Sequence, residues 1–388
     1  MITYILSIIS FLLLIIILPD LYLSFNIWYK RIHIGRWSDR ILWKEAILKT
    51  CVYWIKNTPT VKLKDNNKYI IVDLIRGKYR INTIQSWQEA GLILGLISSF
   101  KNKEIEHYIK NAIDSTGNWK KHYQHIDLAL LAYAILQYAE KDNKLVNHLH
   151  PAMNYVYNLI LSHQEGVTIK YRKNLPYIRF VDTLGLICPF LIKYGILYNK
   201  KEAITLALNQ LIEYDNALLE KWYLPCHAFD TKARLPRGIY DWGRGTGWYI
   251  LALVEGRRSL SLQNKIYNNF KFADRIIRLA TTLMHFQQKN GGFSAMIFDK
   301  TLSTEGSITT LAGLLFHEAW LISKDIQYKK ALDQTITSLM GITQRDGCID
   351  LCQGDTKGIG YYSNTFTYMP FIQGLALLLI NRINEEEE

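Results

Sequence analysis

Two aspartates open apolar helical runs: Asp127 in Tyr123-Gln-His-Ile-Asp-Leu-Ala-Leu-Leu131, and Asp182 in Phe180-Val-Asp-Thr-Leu-Gly-Leu-Ile-Cys-Pro-Phe-Leu191. An aspartate at a helix start ordinarily caps it. At the mouth of an apolar cleft the same carboxyl is partly desolvated, its pKa rises, and it becomes a proton donor. Further on, His227 lies in Leu224-Pro-Cys-His-Ala-Phe-Asp230, and 241–248 reads Asp-Trp-Gly-Arg-Gly-Thr-Gly-Trp. Arg244 offers a planar fork suited to a carboxylate. Trp242 and Trp248 offer flat apolar faces on which a sugar ring stacks. The glycines let backbone N–H groups approach a ligand. A dinucleotide loop needs a preceding strand and a βαβ unit, and a Walker loop needs Gly-Lys-Ser/Thr; the stretch has neither. The plainer readings are a glycine-rich turn with two core tryptophans and a structural histidine.

These residues need a frame to bring them together. Apolar residues at three- and four-residue spacing predict helices at 39–57, 85–99, 102–113, 126–139, 145–163, 180–197, 200–219, 245–258, 262–288, 305–323, 326–341 and 366–384. Short connections, such as Lys141-Asp142, alternate with long loops at 165–179, 220–244, 289–304 and 342–365. Helix pairs with every long loop at one end suit a toroid of six helical hairpins, an all-α (α/α)6 barrel, with a cleft on the loop-bearing rim. No fixed-length repeat supports an open solenoid. Tyr69–Val72 and Thr168–Tyr171 read as short strands on the rim.

Composition narrows the partners. Lys and Arg number 46 against 34 Asp and Glu, a net +12, without a block of five basic residues. Nucleic acid is therefore a poor fit, and an acidic saccharide or an anionic membrane surface a better one. The five cysteines form no C-x-x-C pair and read as reduced structural thiols. Ile2–Leu18 is almost wholly apolar, and apolar residues resume from Leu21 to Trp28. No basic residue precedes the run, so a retained single-pass anchor over residues 1–28 is favoured over a cleaved signal. Residues 29–388 then form the barrel domain. Lys30, Arg31, Arg36 and Arg40 follow the run, which favours the cytoplasmic side for the barrel, with the periplasmic or extracellular side as the alternative.

The ordered set of motifs resembles the unsaturated glucuronyl and rhamnogalacturonyl hydrolases, glycoside hydrolase families 88 and 105. Asp182 through Leu191 is similar to their aspartate–apolar–Pro-Phe-Leu segment, and 242–248 to their Trp-x-Arg-Gly-Asn-Gly-Trp motif, with Thr246 in place of the Asn. His227 precedes that motif, and Gln288–Phe293, Ser303–Ser307, Asp346-Gly, Gly354–Gly358 and Tyr361-Tyr362 resemble later segments. The resemblance implies an (α/α)6 barrel that removes a terminal 4,5-unsaturated uronic acid by protonating its enol ether. It implies Asp182 as general acid, Asp127 as partner carboxylate, His227 and Arg244 as substrate-binding groups, and Trp242 and Trp248 as ring platforms. It implies no metal and no organic cofactor. A polysaccharide lyase on the same fold, and a silent saccharide-binding scaffold, are the alternatives.

Overall fold

The computed structural model describes residues 2–59, 71, 75, 86–261, 270–356 and 358–385. Thirteen helices are found among the described residues. The first, α1 (Ile2–Arg31), stands apart, with no residue buried. The others alternate in kind. The inner set is α3 (Ser86–Ile97), α5 (Leu128–Ala139), α7 (Val181–Leu197), α9 (Gly243–Ser261), α11 (Gly306–Ser323) and α13 (Pro370–Asn384). The outer set is α2 (Arg40–Lys56), α4 (Asn102–Ala112), α6 (Asn143–Leu161), α8 (Lys201–Tyr214), α10 (Phe272–Phe286) and α12 (Ile326–Gly341).

Composition explains the two layers. Inner helices are buried on nearly every face, as in α11, where Gly306 through Ala319 are all buried. A helix apolar all round has no solvent face and belongs inside. Outer α10 buries one stripe, Phe272, Ile276, Leu279, Ala280, Leu283 and Phe286, at helical spacing. Each inner helix packs on the next in order, and α13 returns to α3, so the ring closes as an (α/α)6 barrel. Glycine makes that closure possible. A Cβ at Gly374 would fall 1.9 Å from the Gly91 carbonyl oxygen, so α3 and α13 touch backbone to backbone.

Among the described residues the long connections precede inner helices, so the inner N-termini gather at one rim with the elaborate loops. Away from that rim the axis is filled by polar groups. Glu255 of α9 accepts from Tyr133 of α5 at 2.7 Å and from both Arg382 Nη atoms of α13 at 2.8 and 3.1 Å. Burial opposes ionisation of Glu255, yet Arg382 holds its carboxyl below the ordinary range.

Three expected boundaries differ. The helix read as 200–219 stops at Tyr214, and Leu218–Leu219 pairs with Leu224–Pro225 instead. Tyr214 Oη donates to the Cys226 carbonyl, so the returning chain captures the segment. The helix read as 366–384 starts at Pro370, because proline suits a first helical turn and favours extended backbone before it. Phe366–Thr367 pairs with Cys352–Gln353. The helix read as 262–288 runs over 272–286, with 262–269 outside the described residues. The strand read at 69–72 lies outside them except for Ile71. Near Thr168–Tyr171, Thr168–Ile169 pairs with Gln164–Glu165.

The first helix is long and apolar enough to cross a membrane; a secretory signal passes the same test of length and composition.

Candidate active site

A small sheet brings Asp182 and His227 together. Ile178–Phe180 pairs antiparallel with Ala228–Asp230, and Val181 N donates to the His227 carbonyl at 3.0 Å. Gly238, at φ +82°, lets the next strand pass against His227, where a Cβ would lie 2.9 Å from the His227 Cβ. His227 Nε2 then lies 3.9 Å from Asp182 Oδ2. The Asp182 side chain is 24% exposed, and Oδ2 has no protein hydrogen-bond partner. Burial pushes the Asp182 carboxyl up to about 6, against the opposing pull of Arg244. Burial, then Arg244 and Arg172, push His227 down to about 4. At neutral pH the imidazole is uncharged, so it does not hold Asp182 ionised.

Asp127 sits at the N-cap of α5 but makes no side-chain cap hydrogen bond. Its Oδ1 is buried without a protein partner. Burial raises its carboxyl, opposed by His125, and Asp355 raises it further. Asp355 also raises Asp182. Three carboxyls, two at inner-helix starts and one on a rim loop, thus share one electrostatic neighbourhood. Tyr171 lies among them, its phenol held high by burial and by Asp127, Asp182 and Asp355. Arg172 is exposed on the rim, with its guanidinium carbon 5.8 Å from the centre of the Phe180 ring.

The glycine-rich stretch grips the protein itself. A Cβ at Gly245 would strike the Trp242 ring at 2.5 Å, and one at Gly247 would strike Leu311 of α11 at 2.4 Å. These glycines are helical residues that allow close packing, which corrects the expectation of a ligand-approaching loop. Arg244 is buried and donates to the carbonyls of Gln353 and Gly354, the latter at 2.8 Å, and to Thr356 Oγ1 at 2.9 Å. Its fork is filled by the last rim loop, not open to solvent. The expected sugar platforms are also enclosed. Trp242 is 1% exposed, donates to Gln353 Oε1 at 3.0 Å and lies beneath His227 at 4.6 Å between centroids. Trp248 is 3% exposed and stacks on Phe371. Glu305 completes the anchorage of the loop by accepting from Gln353 N at 2.7 Å.

Residues 54–384 match the sequence profile of Glycosyl Hydrolase Family 88. The chain belongs to that family. It is therefore a glycoside hydrolase. Solved structures agree on the fold of this family 88 chain. A possible family 105 member from Klebsiella pneumoniae shares 15% identity at TM-score 0.72, over 91% of this chain and 95% of its own. An unsaturated glucuronyl hydrolase from Bacillus sp. GL1 shares 14% at TM-score 0.59, over 88% and 95%. A polysaccharide lyase shares 17% at TM-score 0.64, over 90% and 99%. No curated protein matches the sequence.

In this family 88 chain the sequence gives no sign of Arg172, and Asp355 stands out only as part of the Gly354–Gly358 segment. Arg172 stands in the long loop 165–179, and a lone arginine in a polar loop carries no periodic signal. Asp355 lies 173 positions from Asp182, and nothing local couples them.

Proposed function

We propose that this chain hydrates the double bond of a terminal 4,5-unsaturated uronic acid on an acidic saccharide, working as a barrel of residues 29–388 carried on a membrane anchor of residues 1–28. The observation that carries the reading is Asp182: a carboxyl raised to about 6, at an inner-helix N-terminus, with one oxygen unclaimed by the protein. Protonated Asp182 gives its proton to C4, leaving a cation at C5 shared with the ring oxygen. Water attacks C5, and Asp182, now a carboxylate, takes the released proton. The hemiketal opens to a ketone at C5, and the freed hemiacetal at C1 expels the remaining saccharide. One water is consumed and Asp182 is regenerated. Asp355 favours protonated Asp182, and Asp127, as the partner carboxyl, helps to stabilise the cation. His227, neutral and hydrogen-bonded through Nδ1 to Tyr362 Oη at 3.1 Å, orients the water or a hydroxyl.

The roles of the two arginines follow from their surroundings. Arg172, exposed beside Asp182, meets the substrate carboxylate; Arg244 positions the 353–356 backbone. Arg172→Gln should raise KM for a uronate substrate ~10-fold or more, the worth of a charge-assisted hydrogen bond. It should also move the alkaline limb of the pH profile upward, since a cation that lowers Asp182 is lost. Equal losses on neutral and acidic saccharides would exclude the carboxylate contact. Arg244→Lys should lower kcat ~10²-fold through loop misplacement, with KM little changed. A KM increase confined to acidic saccharides would return the fork to Arg244.

The deciding experiment follows the ultraviolet absorbance of lyase-generated oligosaccharides. Hydration destroys the conjugated band, so absorbance falls. It should fall with wild type, with kcat/KM declining above a pH of about 6 as Asp182 loses its proton. The second reading, a lyase, rests on the Tyr362–His227 pair as a base that could remove a C5 proton. A lyase creates the band, so absorbance on intact polysaccharide would rise. Binding without either change points to the silent scaffold.

A further inference from the structure

We propose that the first helix is docked so that the open rim of the barrel faces the lipid bilayer, and that the cleft takes saccharide carried at the membrane surface. The inference takes membrane insertion of α1 from the proposed function and adds orientation and substrate class. Residues Ile2–Leu18 are exposed on nearly all sides as an apolar rod, about 26 Å long at helical rise, close to a hydrocarbon core of ~30 Å. Tyr22, Phe25, Trp28 and Tyr29 follow, all exposed, as an aromatic band of the kind found at bilayer interfaces.

The end of α1 does not hang on a free linker. Arg31 donates to both carboxylate oxygens of Asp350, at 2.6 and 2.9 Å, and to the Phe366 carbonyl at 3.0 Å. The Asp350 side chain is fully buried. It also accepts from Gln344 Nε2 at 2.7 Å and from Leu351 N at 2.7 Å. Lys30 pairs with Asp346 at 3.1 Å, the Arg345 guanidinium covers the Tyr29 ring at 4.6 Å, and Trp37 Nε1 donates to the Gln344 carbonyl at 2.9 Å. Every barrel residue in these contacts lies on the connection that precedes α13, a rim loop. A bidentate pair to a buried carboxylate fixes direction as well as distance.

The same loop reaches the site. Asp355 follows Asp350 by five positions, which span at most ~18 Å when fully extended. Asp355 of the carboxyl cluster therefore lies on the same rim loop that holds the helix end. Asp20 to Arg31 covers about 16 Å at helical rise, so the rim stands just beyond the headgroup layer, while the opposite rim is about 25 Å farther off along a 17-residue inner helix. A saccharide free in solution needs no such placement; one attached to a lipid is delivered to it.

All five native cysteines are buried, so single exposed cysteines can be labelled selectively. The full chain would be placed in vesicles of phosphatidylcholine and phosphatidylglycerol carrying a headgroup nitroxide, with a fluorophore at Lys173→Cys on the site rim or Phe100→Cys on the far rim. Quenching at 173 and none at 100 is expected, and Arg31→Gln should weaken it at 173. Equal quenching at both positions, or quenching at 100 alone, overturns the orientation, as does the absence of quenching at either. In the same vesicles, an unsaturated uronyl disaccharide on a dialkylglycerol anchor should be consumed severalfold faster than its soluble form, and Arg31→Gln should remove the preference. A preference for the soluble form overturns the membrane-borne substrate. Consumption of neither form overturns the hydration chemistry, and the quenching result then decides the orientation alone.

Discussion

Asp182→Asn should abolish most turnover and at the same time make the protein harder to unfold. Loss of a positioned general acid removes typically ~10²- to 10⁴-fold in rate. The gain in stability has the same origin as the proposed proton donation. Burial raises the folded carboxyl from 3.8 to about 6. The folded state therefore holds the proton more tightly than the unfolded chain does. Stability associated with this group is fully present below the unfolded value and falls as pH rises through about 6. At neutral pH the strain amounts to roughly 3 kcal/mol, at ~1.4 kcal/mol per unit. A neutral amide does not carry it. Thermal melts of wild type and Asp182→Asn at pH 8 should separate, with the variant higher, and should converge near pH 4. Unchanged turnover would remove Asp182 from the mechanism; convergence at both pH values would mean the carboxyl is not desolvated.

Arg382→Met should cost ~3–5 kcal/mol of stability, the usual price of stranding one member of a buried ion pair. The Glu255 side chain is 2% exposed and Arg382's 10%. Removing the guanidinium leaves the carboxylate with the Tyr133 hydroxyl and the weaker pull of Arg258. The double variant Glu255→Gln/Arg382→Met should recover much of the loss, because no buried charge remains. Denaturant unfolding of the two singles and the double measures this. A double variant as unstable as Arg382→Met alone would show that packing, not charge, is at stake.

Both predictions depend on groups whose neighbours are remote in sequence, and this separates what was legible from what was not. Twelve barrel helices could be read from apolar periodicity, because burial on one face or on all faces is written into consecutive residues. The alternation of short and long connections placed the rim, and Asp182 and His227 were singled out beside it. The same reading failed for 241–248. Glycine, arginine and tryptophan together look like a ligand grip, but whether their atoms face a cleft or a neighbouring helix depends on what lies across from them. Here Leu311 and Gln353–Thr356 do, and they occupy the space.

By itself, the sequence determined the helical class, the ring of hairpins, the apolar first helix and the carboxylates worth testing, since each is a local pattern of side-chain type. Only the tertiary structure decided that Arg244 is spent on a rim loop and Arg172 is exposed, that Asp355 joins Asp127 and Asp182, and that Arg31 ties the first helix to Asp350. Hydrogen-bonding capacity is finite: whether a polar group is open to a substrate depends on which distant partner has already used it, and closing the ring is what brings those partners into reach.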